Sequence, residues 1–144
     1  MASVERLYTP EVLALATGLA AYPFDPDMDH LGSARSPSCG STVALSLRLD
    51  EAGRIGAVGV KAHACAIGQA AAAIFAAVAP GQDRPAIAAA AEAIGQWLAE
   101  GGALPEWAGL SAIAAAQSFP GRHGAILLPW KAALEALSSA SAPR

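Results

Sequence analysis

Two cysteines are all the thiol this chain has, and aromatic residues make up only 6% of its 144 positions. Two thiols cannot build the disulfide framework of a small secreted domain, so the expectation is a cytoplasmic protein with reduced cysteines. Positive charge is sparse as well. The net charge is −3 and no basic run occurs, which argues against nucleic acid as a partner. Long apolar runs are missing too. The least polar stretch, 66–79, is too short and too alanine-rich to span a bilayer, and Gln69 interrupts it, so no membrane partner is expected. The opening MASVERLYTP has acid and base but no apolar centre, and reads as no secretory signal. There is no Gly-x-Ser-x-Gly elbow, no His-Glu-x-x-His and no phosphate-binding glycine loop. A cysteine with His123 as base is the only nucleophilic pairing left, and no second feature supports it. The chain is not expected to be an enzyme.

What is present fits one domain over residues 1–144, with a small, polar, fraying tail at 138–144. The hydrophobic fraction is 54%, much of it alanine. Alanine favours helix and buries little area, so the core is expected to rest on the sparser Leu, Ile, Val, Phe and Trp.

Thr9, Pro10 and Glu11 read as N-cap, first helical position and early acid. Val12, Leu15, Ala16 and Leu19 then share a face of a helix over 10–21. The loop that follows carries Asp25, Asp27 and Asp29, an alternation that invites calcium. It lacks the glycine turn and distal bidentate acid of a calcium loop, and reads as solvated surface. Residues 32–35 suggest an edge strand. Thr42 to Leu49 alternates, with Val43, Leu45, Leu47 and Leu49 on one side. A turn at Asp50-Glu51-Ala52-Gly53 leads to a return strand over 55–62, with Val58 and Val60 inward.

After Cys65 the period becomes helical, with Ile67, Ile74, Phe75 and Val78 on one face up to Pro80-Gly81. Asp83 and Pro85 open another helix, which Gly101-Gly102 closes. A further helical piece is expected over 104–116, anchored by Trp107, Leu110 and Ile113. A last helix carries Leu127, Trp130, Leu134 and Leu137, with Pro129 placed near its start. The fold class is α+β: a small antiparallel three-stranded sheet with four to five helices, mainly on one face.

The hairpin has a chemical consequence. Cys39 lies just before its first strand, in Ser36-Pro37-Ser38-Cys39-Gly40-Ser41, and Cys65 lies just after its second. Pairing the strands returns both cysteines to one edge of the sheet. Cys65 is then at a helix N-terminus, where the dipole favours an anion, and Gly40 lets the backbone beside Cys39 approach closely. Two such thiols suit zinc, iron, a nascent cluster or a sulfane sulfur. They leave a tetrahedral site half built. His123 is the candidate completion, and His63 the lesser one: it would project to the side of Cys65 if the strand ran on that far.

These stretches resemble the NifU/IscU/SufU-type family of iron–sulfur cluster assembly scaffolds. Ser36-Pro37-Ser38-Cys39-Gly40-Ser41 stands against the family's Pro-x-Cys-Gly-Asp. Ala64-Cys65-Ala66-Ile67-Gly68-Gln69-Ala70 stands against its Gly-Cys-Ala-Ile-Ser-x-Ala. Arg122-His123-Gly124-Ala125-Ile126-Leu127-Leu128-Pro129-Trp130-Lys131-Ala132 is similar to its Arg-x-Lys-Cys-x-x-Leu-x-Trp-x-Ala. The strand–turn–strand spacing and the opening helix fit as well. The departures are specific. The third cysteine is replaced by Ala125 or, in a register shifted by one, by Gly124. The acid after Cys-Gly is Ser41, and the Leu-Pro-Pro-Val-Lys chaperone motif of one branch is missing.

The resemblance implies that Cys39 and Cys65 ligate iron or a transient [2Fe–2S] iron–sulfur cluster, with zinc able to take the same site. Ser41 stands in the acid's place and His123 beside the lost cysteine. The implied partners are a cysteine desulfurase and apo iron–sulfur acceptor proteins, and two copies sharing one cluster would form a homodimer. The other readings are a persulfide-accepting sulfur relay, and a binding module that kept the fold and lost the site.

Overall fold

The computed structural model describes residues 7–140, with the side chains of 139 and 140 left out; residues 1–6 and 141–144 lie outside it. Four α-helices and three strands carry the chain: α1 Pro10–Gly18, β1 His30–Arg35, β2 Thr42–Leu49, β3 Ile55–His63, α2 Ala66–Val78, α3 Arg84–Glu100 and α4 His123–Ala140. Short 3-10 segments sit at Leu19–Ala21, Leu110–Ser118 and Pro120–Arg122.

The strands form one antiparallel sheet in the order β1-β2-β3. Alternation in β2 decides its faces. Val43, Leu45 and Leu47 are wholly buried against the helices, while Leu49 is half-buried. Val60 joins them from β3, and Val58, expected inward, is only half-buried on the way out of a register shift at Arg48/Leu49. Gly32 on β1 allows close contact with α4, since a Cβ there would run into the backbone of Ala132 and Ala136. The other face is partly covered. The chain after α1 pairs at Pro23 with Val60 on the free edge of β3, then crosses so that the Asp25 amide donates to Ser46 Oγ at 3.0 Å.

α2 is the centre of the molecule. Nine of its thirteen residues are buried, so its alanines pack on all sides rather than one. Alanine thus contributes more of the core than its small area suggested, because it lets the sheet, α1 and α4 approach closely. Phe75 stacks on Trp107 at 5.7 Å and meets Trp130 edge-on at 5.5 Å, and Trp107 donates its indole N–H to the Ile74 carbonyl.

The caps act as the sequence suggests. Thr9 Oγ1 accepts from Val12 N, and Asp83 accepts from Ala86 N at 3.1 Å. Three expectations need correcting. Only Val12 of the α1 face is fully buried. Residues 104–109 are not helical, and the segment from Leu110 winds as a 3-10 helix kinked at Ile113, after Gly109 turns the chain at φ 94°. Pro129 is the seventh residue of α4 rather than lying near its start, so the helix forgoes a bond to the Ala125 carbonyl. α4 runs to Ala140, and 141–144 of the expected tail lie outside the described residues. No helix among the described residues is long and apolar enough to cross a membrane.

Candidate functional site

Register places the two cysteines. Arg35 pairs with Thr42, and Thr42 with His63, so one end of the sheet is marked by all three strands. The β1–β2 turn holding Cys39 springs from that end, and Cys65 follows His63 directly at the same end. Neither thiol is in a disulfide.

The Cys39 turn is closed on itself. Ser36 N donates to the Ser41 carbonyl at 2.9 Å and Gly40 N to the Ser36 carbonyl at 2.8 Å. Gly40 sits at φ 74°, which a side chain would resist. Cys39 is exposed at the tip, while Ser36 and Ser41 are buried beneath it. The thiol donates to Ser41 Oγ at 3.2 Å, and Ser36 and Ser38 share a hydroxyl hydrogen bond at 3.2 Å. The Ser36 hydroxyl first, then the Ser41 hydroxyl and amide, and last the Arg122 charge hold Cys39 below the usual thiol range; slight burial works the other way. Arg122 is itself steadied by donating to the Tyr8 hydroxyl at 3.2 Å.

Cys65 is the N-cap of α2, in extended conformation and half-buried against the core. Its side chain does not cap the helix; its carbonyl takes the Gln69 amide at 2.9 Å. The strand ends at His63, so the alternation that would align His63 with Cys65 does not reach residue 65. His63 is exposed.

The first turn of α4 is wedged between the two cysteine-bearing segments. A Cβ at Gly124 would meet the Ser36 hydroxyl, and the Cβ of Ala125 lies where Gly68 of α2 has none. Ala125 is wholly buried. Both positions that could stand for the lost cysteine therefore lie at the junction. His123, just before them, has Nε2 at 2.8 Å from the Gln117 carbonyl. A carbonyl only accepts, so Nε2 carries the hydrogen and Nδ1 of the neutral ring is the free acceptor. Ligating histidines are commonly oriented by such a bond. Ser41, proposed in the acid's place, spends its hydroxyl on Cys39. Among the described residues no three His, Cys, Asp or Glu side chains gather as a metal site.

Sequence reasoning missed Ser36, Arg122 and Tyr8 as parts of this site. A hydroxyl on both sides of Cys39 was the available signal for Ser36. The Tyr8–Arg122 contact joins opposite ends of the chain and had none.

No protein-family model and no curated protein sequence matches the chain. Solved structures do. The N-terminal part of a nitrogen-fixing NifU-like protein from Brucella abortus superposes with a TM-score of 0.85 at 24% identity, covering 96% of this chain and 99% of that one. A protein from Fervidobacterium islandicum, described as an iron–sulfur cluster assembly scaffold for the SUF system, gives 0.81 at 19% identity, over 94% and 99%. The resemblance read from the three motifs is thus met in three dimensions, and the chain has the fold of the NifU-like N-terminal domain and of the SUF-system scaffold.

Proposed function

We propose that this chain is a scaffold or carrier for iron–sulfur cluster assembly, with Cys39 and Cys65 as the thiolate ligands and no turnover of its own. The observation that carries the reading is the convergence of three segments: the Cys39 turn, the Cys65 cap of α2 and the first turn of α4 meet at one end of the sheet. His123 precedes Gly124 in that turn of α4, and its bond to the Gln117 carbonyl leaves Nδ1 as the acceptor of the neutral ring. The cluster is cargo, and iron–sulfur clusters take mainly thiolate ligands. A chain with two thiolates holds such cargo loosely, which suits hand-over to an apo-protein acceptor. Zinc would fit the same thiolates.

Anaerobic reconstitution with iron and sulfide tests this. The wild-type chain should gain visible absorption with iron and acid-labile sulfide in equal amounts. Cys39→Ala/Cys65→Ala should gain neither. A wild-type chain that stays colourless and iron-free refutes cluster binding.

The exposure of Cys39 and its lowered thiol range favour a second reading, sulfur relay. The Cys39 thiolate would attack the outer sulfur of a donor's persulfide. The donor's sulfur–sulfur bond breaks, its cysteine leaves as a thiolate, and Cys39 keeps the transferred sulfur. Mass spectrometry after treatment with a cysteine desulfurase and cysteine, without iron, reads this directly.

A further inference from the structure

The sheet face turned away from α4 is only half covered. Directly paired residues share a face and alternate residues repeat it. Arg35, Thr42 and His63 therefore stand in a row across the three strands, with Ser33, Ala44 and Lys61 in the row behind. Arg35, Lys61 and His63 are exposed, and neither cation has an ion-pair partner among the described residues. Behind them Leu31 is 46% exposed, beside a cavity of about 220 Å³ lined by Leu31, Phe24, Ala44 and Glu135. Glu135 is the one acid there, and its carboxylate already takes the Ser33 amide at 2.9 Å. Asp29 precedes β1 at the end away from Arg35, and Asp25 crosses this face at Ser46, level with Leu31 and two rows behind Arg35.

The result is an apolar centre with a basic rim, and the rim runs straight into the Cys39 turn, since Ser36 follows Arg35. We propose that this open half-face is the docking surface for the protein that delivers sulfur to Cys39, and that this partner meets it with carboxylates around an apolar contact. The proposal rests on the sulfur-relay reading argued above. Two cations are too few to hold a nucleic acid backbone. They suffice to steer and orient an acidic protein surface, because rim charges act chiefly on the association rate. A partner seated over Leu31 and Ala44, its acids against Arg35 and Lys61, would hold its persulfide against the Cys39 turn.

The test is single-turnover sulfur transfer from a purified cysteine desulfurase charged with cysteine, read at Cys39 by mass spectrometry over a range of salt concentrations. Arg35→Glu/Lys61→Glu should lower the second-order rate about tenfold at low salt, with the gap closing as salt rises. Both residues are exposed, so the variant should fold, and alkylation of Cys39 by neutral iodoacetamide should proceed in it at the wild-type rate to within about twofold. Leu31→Ser should also slow transfer, with no change in salt dependence. Equal transfer to wild type and the reversal variant at every salt concentration overturns the docking face while leaving the function intact. A wild-type chain that accepts no sulfur removes the sulfur-relay reading and this inference together.

Discussion

At the scale of single residues, Cys39 differs from an ordinary exposed thiol because its turn is lined with donors. A thiolate at the tip can accept from the Ser36 and Ser41 hydroxyls and feels the Arg122 charge. All three favour the charged form, so the folded thiol ionises at lower pH than the ordinary value of about 8.5. The linkage sign follows. Folding is favoured by this group above the unfolded thiol range, and that contribution is lost as pH falls through the lowered folded value. The measurable form is the pH profile of Cys39 alkylation in Cys65→Ser. Its midpoint should lie below that of the same protein unfolded in urea. Ser36→Ala should move it up furthest, and Arg122→Gln should move it up less. An unmoved midpoint in both variants would mean that the turn does not tune the thiol. Cys39 as a candidate was legible from its glycine neighbour. The role of Arg122 was not, because its hold on Tyr8 is a tertiary contact between segments far apart in sequence.

Secondary-structure elements were legible wherever a local rule sufficed. β2 was readable because one of its faces is dry and the other is not, and α3 because Asp83 caps it and Gly101 ends it. The stretch around Trp107 was misread as helix. Its indole is anchored on the Ile74 carbonyl and between two other rings, and that packing, rather than periodicity, sets the chain's path there. The seating of α4 on β1 was equally hidden, since it depends on what Gly32 lacks. A methyl group at Gly32 would collide with α4 backbone, which cannot swing aside as a side chain can. Gly32→Ala should therefore destabilise the fold by roughly 1–3 kcal/mol, the usual cost of overpacking. Gly53→Ala is a poor control because of its positive φ, whereas Gly18 faces open space at an ordinary φ. Gly18→Ala in the same urea titration should shift stability by less than about 1 kcal/mol. Equal stability of Gly32→Ala and wild type would show that α4 does not rest on β1 as described.

For the whole molecule the deciding quantity is ligand count. One chain brings two cysteines to the junction, and among its described residues no third acid, thiol or imidazole completes a metal site with them. A [2Fe–2S] unit wants four ligands. Two chains placed with their Cys39 turns together would supply four thiolates, Cys39 and Cys65 from each, without any residue having to replace the lost cysteine. The exposure of Cys39 at the tip makes such a meeting sterically open, while Cys65, half-buried at the cap of α2, would hold the inner side. Cluster loading and association should then be one event. Under anaerobic size exclusion with light scattering, the reconstituted chain should run as a dimer with one [2Fe–2S] per two chains. Chelation of the iron should return it to the size of the apo-protein. Cys39→Ala should abolish both the colour and the dimer, because it removes half of the shared ligand set. A coloured species of monomer mass would show instead that one chain completes the ligand set by itself, and His123 Nδ1 would be the first donor to test, by His123→Ala.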